Sequence, residues 1–336
     1  MNVTSALDMM LADVEAVGEE LGIPIGSTIG ELVHAQVEVD ALDPEAESAD
    51  VDPVSLARLY ELRARYLDWV YETGYLGFFA TNPGIRYLFR RRLEEQFDLI
   101  PRAGEGSLLE VGCGAGVFSL LAGARFGRVV GTDVSDTALA FARRLAARRL
   151  AANVCFFAAD VEKLPLPDSE FSCVICSEVI GHVAYPEKAV SEMARVLKPG
   201  GTLILSTPCA LSPTHWALRV ASLLRPGIQY HREWQVDRRV ATLLRESGED
   251  VALRDLVRVK KRYGFRDIIA LINSGGFTLR EARGAALDFP PAPIVYRWFP
   301  EALLGSVRRL EHGLNRLGVL PRAFSISTIF RFEKRT

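Results

Sequence analysis

Glu110-Val111-Gly112-Cys113-Gly114-Ala115-Gly116 is the stretch whose residue types and spacing point most directly to chemistry. Glycines at alternate positions let the backbone turn sharply and let a ligand approach closer than a Cβ would allow. Amides at the start of a following helix would face that ligand. Several nucleotide-binding folds share such a loop, so its details matter. The third glycine comes one residue too early for the dinucleotide pattern G-x-G-x-x-G. Glu110, at the strand end, would repel a pyrophosphate and suit a cationic ligand. Both features disfavour a nicotinamide oxidoreductase. Asp133 follows the first glycine by roughly 20 residues, the spacing at which a carboxylate catches a ribose.

The elements that must position these groups are legible around them. Leu108-Leu109 before the loop and Val117-Phe118-Ser119-Leu120 after it predict a buried strand running into a helix. Arg128-Val129-Val130-Gly131-Thr132-Asp133 predicts a second strand ending in an acid. Residues 153–159 predict a third, closed by Asp160-Val161, and 171–177 a fourth, followed by Glu178-Val179-Ile180-Gly181-His182. Residues 189–197 have helical spacing and end at Lys198-Pro199-Gly200-Gly201, a helix stop and turn. Residues 202–207 then form a fifth strand.

Together these residues, roughly 107–208, resemble the class I S-adenosylmethionine-dependent methyltransferases. Five ordered motifs carry the likeness, which makes it more specific than the glycine loop alone. The resemblance implies an α/β fold: a doubly wound, Rossmann-like, seven-stranded sheet with helices on both faces and an antiparallel last strand. It implies S-adenosyl-L-methionine as cofactor, with Gly112, Gly114 and Gly116 wrapping its methionine end and Glu110 at the same strand end. Asp133 would bind both ribose hydroxyls, with Val134 beside it. Asp160 and Val161 would sit at the adenine, and Ser177 near the sulfonium by its backbone. An acid at a helix start and an acid in a turn are the plain alternatives for Asp133 and Asp160. Cys113 reads as a small residue packed in the loop.

The sulfonium methyl of that cofactor is already activated, so the protein must mainly hold an acceptor lone pair in line and exclude water. An oxygen or carbon acceptor also benefits from a positioned base. His182 is the first candidate, because it follows the fourth strand at the carboxyl edge where such sheets bind ligands. A packed helix-start histidine is the alternative. His182 matches the His of the family's E-x-x-E-H segment, which in quinone-type O-methyltransferases is associated with a divalent metal. Here Glu178 remains but Gly181 replaces the second acid, so no metal is expected. His231 and Glu233, within the polar-aromatic run Gln229 to Trp234, are the next catalytic candidates, with His215, Tyr185 and Tyr230 behind them.

The chain has 336 residues, 49% hydrophobic and 24% charged, enough for one large core plus appended structure. Five cysteines without regular spacing predict reduced thiols. Cys173 and Cys176 form a C-x-x-C, but residues three apart on a strand point to opposite faces. No secretory signal or membrane span is read, so a cytoplasmic protein is expected. Thirteen acids and no Lys or Arg precede Arg58, so a formal total of −2 leaves +11 on the rest. Residues 1–98 are expected as a helical N-terminal extension, with helices at 7–21, 55–71 and 83–97. An acidic linker falls at 37–53. The extension covers the cofactor site, forms a homodimer, or is a solubilising tail.

Residues 99–336 are expected as the catalytic domain, with a helix at 212–224, another at 263–273, and strands at 278–283 and 323–332. The long connection 288–322 reads as a lid insertion. Its large apolar groups, Trp298 and Phe299 among them, predict an apolar or amphipathic small-molecule acceptor. Arg308, Arg309 and Arg316 on its helix raise a peripheral membrane contact. No basic stripe with interleaved aromatics points to nucleic acid. The expected activity is methylation of a small molecule, oxygen before nitrogen or carbon. A catalytically silent cofactor-binding scaffold is the rival.

Overall fold

A computed structural model describes residues 3–21, 83–101, 106–183, 185–209, 211–212, 263–288, 301–318 and 323–336. Helix α1 spans Val3–Glu20 and α2 spans Pro83–Leu99. Strand β1 (Ser107–Val111) leads to α3 (Val117–Ala122), β2 (Arg128–Asp133) to α4 (Asp136–Arg148), and β3 (Val154–Ala158) follows. Strand β4 (Phe171–Ser177) is succeeded by a 3-10 turn at Ile180–His182, α5 (Pro186–Val196) and β5 (Leu197–Pro208). Helix α6 (Phe265–Ser274), β6 (Phe277–Leu287), α7 (Glu301–Arg316) and β7 (Ser325–Lys334) complete the described chain.

The strands form one seven-stranded sheet in the order β3-β2-β1-β4-β5-β7-β6. β1 to β5 are parallel, while β7 runs antiparallel between β5 and β6. The central strands are near-continuous apolar runs because helices cover both faces. On one face Leu108, Cys173, Ile175 and Ile204 pack with residues of α1 to α4. On the other Leu109, Val174, Cys176 and Leu205 pack with α5 and α6. Cys173 and Cys176 therefore lie in different layers, as the strand period requires.

Local chemistry sets the joints. The Ser135 hydroxyl accepts from the Ala138 amide and caps α4, satisfying one of its unpaired first-turn donors. The expected turn at 198–201 is absorbed into β5: Leu197 pairs with Phe171 and Thr202 with Cys173, so the intervening residues bulge. A register-shifting bulge keeps the ladder while inserting extra residues, which a reading of Pro-Gly-Gly as a plain turn misses. The seventh strand begins at Ser325 rather than Ala323, and the sixth runs on to Leu287. The expected linker 37–53, the helix 55–71 and most of 212–224 lie outside the described residues. Among those residues no helix is long and apolar enough to cross a membrane.

Candidate active site

Strand order reverses between β1 and β4, and the crevice outside their carboxyl ends is where open α/β sheets bind ligands. The glycine loop leaves β1 at that point. Gly112, Gly114 and Gly116 have φ of 63°, 51° and 73°, a region that favours glycine. The Cys113 amide donates to the Thr132 carbonyl at 2.9 Å and ties the loop to β2. A Cβ on Gly112 would collide with the Val179 methyl, and one on Gly116 would lie 2.5 Å from Phe156 Cζ. Glycine is thus needed at both positions, for backbone conformation and for space.

Asp133 ends β2 beneath this loop and is 8% exposed. Its Oδ2 accepts from the Gly114 amide at 2.8 Å and its Oδ1 from the Ser135 amide at 3.0 Å. The carboxylate therefore joins the loop to the start of α4. Val134 beside it is 40% exposed, an apolar surface open at the edge. The Asp160 carboxylate accepts from the Glu162 amide at 2.9 Å and its backbone carbonyl from the Lys163 amide at 3.0 Å, while Val161 is buried. Glu110 points into the protein, where its Oε2 accepts from the Ser119 hydroxyl at 2.5 Å. Complete burial raises its carboxyl to about 8, against the lowering effect of Ser119.

The β4 end brings a second set together. Ser177 Oγ accepts from Gln96 Nε2 at 2.8 Å and lies 3.2 Å from Ser206 Oγ. The Ser206 hydroxyl donates to Glu178 Oε1 at 3.0 Å. Glu178 has φ of 60°, a strained conformation for a side-chain-bearing residue. His182 sits in the 3-10 turn, exposed, its amide donating to the Val179 carbonyl at 2.7 Å. His231, Glu233, His215 and Tyr230 lie outside the described residues, as do Trp298 and Phe299. A cavity of about 540 Å³ opens nearby, lined by Thr207, Pro208, Leu211, Tyr263, Phe265 and Phe330 among others. Burial, with Glu187 adding to it, raises the Tyr263 phenol above its ordinary range, so it stays protonated.

Sequence reasoning missed Gln96, Arg92 and Ser206. Gln96 and Ser177 are 81 positions apart, and α2 carries no motif. The available signal was the amphipathic helix itself, which had to pack somewhere.

A parallel sheet with a glycine cradle after β1, an acid closing β2 and an antiparallel seventh strand defines a nucleoside-binding α/β protein of the methyltransferase type. A family model described as a methyltransferase domain matches residues 109–205. The ubiquinone/menaquinone biosynthesis C-methyltransferase UbiE of Pseudomonas putida is 44% identical over 92 residues, 27% of this chain and 36% of that protein. The chain thus spans about a third of the length of the quinone-biosynthesis relatives it matches. An uncharacterized 37.1 kDa protein in transposon TN4556 of Streptomyces fradiae is 30% identical over 241 residues, covering 70% of this chain and 67% of that one. In fold, the chain is similar to an S-adenosylmethionine-dependent methyltransferase, possible histamine N-methyltransferase, from Thermotoga maritima. That likeness has a TM-score of 0.50 at 16% identity, over 82% of this chain and 100% of the other. Residues 109–205 thus form a methyltransferase domain, and the fold around them is that of the class I S-adenosylmethionine-dependent methyltransferases. Its left-handed glycine loop at the carboxyl end of β1, with an acid below, fits the cofactor of that class.

Proposed function

We propose that this chain transfers a methyl group from S-adenosylmethionine to the oxygen of an apolar or amphipathic small molecule. The observation that carries the reading is the cradle at the β1/β4 crevice: three left-handed glycines, their loop hydrogen-bonded to the Asp133 carboxylate and capped by Val179. When bound, the cofactor supplies a methyl group already activated by its sulfonium. The loop amides and Asp133 bind and orient it, Asp133 accepting from the ribose hydroxyls with the lone pairs its amide bonds leave. Asp160 and Val161 hold the adenine end, and Ser177 the sulfonium end. The cavity beside β5 takes the acceptor and excludes water, which gives proximity its full effect. Tyr263 stays protonated there and so is no base. His182, exposed at the same edge, takes the acceptor proton.

A carbon acceptor is the second reading, favoured by one observation. The relative matched at 44% identity is a C-methyltransferase by name. Both readings are tested by offering cell extracts to the full chain with methyl-labelled S-adenosylmethionine. Label in an organic-soluble product supports transfer, and the carbon NMR shift of the transferred methyl separates attachment to oxygen from attachment to carbon. Cofactor binding with no label in any fraction would instead make the chain a silent scaffold.

A further inference from the structure

Helix α2 lies outside the matched methyltransferase region, yet it reaches the β4 end of the crevice. Gln96 is completely buried, and while its Nε2 donates to Ser177, its Oε1 has no hydrogen-bond partner. Either orientation of that amide leaves one end unmatched. One turn earlier on the same helix face, the Arg92 guanidinium stands 3.7 Å from Glu178 Oε1, and its Nε has no partner. Phe89 carries the guanidinium carbon at 5.2 Å from its ring centroid. An unmatched donor and an unmatched acceptor thus sit one turn apart at the crevice. Buried polar groups are nearly always paired, so such a doublet suits a ligand that carries both a donor and an acceptor.

We propose that Arg92 and Gln96 form the subsite for the zwitterionic amino-acid end of the cofactor, Arg92 taking its carboxylate and Gln96, with Glu178, its ammonium. This rests on the methyltransferase reading above. Charge supports the assignment. Asp133 and Glu178 make the edge acidic, and residues 107–122 contain no Lys or Arg, so a bound carboxylate needs a cation from another element. Arg92 acts on Glu110 as well as on Glu178, which sets it between the ends of β1 and β4. Arg143, on the β3 side, donates instead to the Phe156 carbonyl at 3.2 Å. The Arg92–Glu178 gap exceeds a hydrogen bond, so the pair opens to a zwitterion by exchanging one loose contact for two charge-assisted ones. The strained backbone of Glu178 holds its carboxylate against Ser206 and toward Arg92, the placement such a subsite needs.

The test is calorimetric titration of the full chain with S-adenosylhomocysteine and with 5′-methylthioadenosine, which keeps adenine, ribose and sulfur but lacks the amino acid. Wild type should prefer S-adenosylhomocysteine. Arg92→Met should weaken it about 10- to 100-fold, the range for a lost charge-assisted hydrogen bond, and leave 5′-methylthioadenosine within about twofold. Arg92→Lys should recover part of the loss, and Gln96→Leu should again spare 5′-methylthioadenosine. The decarboxylated homocysteine analogue tests the carboxylate contact without any mutation: it should bind wild type at least about tenfold more weakly. Equal binding of that analogue, or an Arg92→Met protein that loses both nucleosides alike, overturns the subsite while leaving the cofactor assignment standing. Failure of wild type to bind either nucleoside overturns both.

Discussion

Arg91 Nε donates to Glu311 Oε2 at 2.8 Å, joining α2 to α7 across 220 positions of sequence with both side chains buried. The Tyr87 hydroxyl at 3.1 Å and the Leu287 amide at 2.8 Å complete the shell of Glu311. Arg91 also donates to Glu94 at 2.6 Å and to Glu95 at 2.5 Å. Its neighbour Arg92 faces Glu178, so consecutive residues of α2 serve the C-terminal helix and the crevice.

The two ends of that bond should differ in mutational cost. Glu311→Gln leaves Arg91 two carboxylates, whereas Arg91→Met strips the fully buried Glu311 of its cation, while Glu94 keeps Arg90 and Arg308 and Glu95 keeps Arg283. We expect Arg91→Met to cost about 3–5 kcal/mol, the range for breaking a buried pair, and Glu311→Gln clearly less. Urea denaturation of both variants measures the difference; equal losses would refute the asymmetry.

Gly131 has an unstrained backbone, but a Cβ there would lie 2.5 Å from Phe156 Cδ1. Gly131→Ala should therefore cost about 1–3 kcal/mol by overpacking alone. Combining it with Phe156→Leu should cost less than the sum. Gly116→Ala, which also meets Phe156, should be rescued only in part, because its φ of 73° adds strain that no partner change relieves. A double-mutant cycle for each glycine decides the point.

Asp133→Ala should weaken S-adenosylhomocysteine by at least about tenfold, since each hydrogen bond to a charged group is worth roughly 1.5–3 kcal/mol. Asp133→Asn keeps an oxygen for one loop amide and should fall between. Unchanged calorimetric affinity in both variants would remove Asp133 from the site.

Glu110 has a folded-state carboxyl raised to about 8 by burial, above its ordinary value of 4.5. Between those values the folded chain holds a proton that the unfolded chain has released. Stability should therefore fall as pH rises from about 5 to 8, by up to about 1.4 kcal/mol per unit from this group. Glu110→Gln retains an acceptor for Ser119 and should flatten the slope. A parallel slope in wild type and variant would show that other groups cause it.

His182→Ala should lower single-turnover methyl transfer by about 10²–10⁴ and leave cofactor affinity intact, as expected for a lost general base. Wild-type turnover in the variant would move attention to His231 and Glu233.

Much of the strand-and-loop framework was legible in the sequence, because its signals are local. Glycine spacing after an apolar run, an acid closing the next run, and period-2 or helical patterning all act within a few residues of chain. They located β1 to β4 closely, and the C-x-x-C was rightly placed across two layers. The acceptor side was less legible. Its parts come from distant elements, and several candidate residues fall outside the described structure.

What the sequence by itself determined was the class of fold and the edge of the sheet that carries chemistry, since backbone sterics and burial periodicity dictate both. Only the tertiary structure decided which side chains meet there. It turned Glu110 inward onto Ser119 and set Asp133 under the Gly114 amide. It brought Gln96 and Arg92 of α2 to Ser177 and Glu178, and locked α2 to α7 through Arg91 and Glu311. These pairings join residues far apart in sequence, and packing selects them by shape and charge complementarity, to which no local pattern is sensitive.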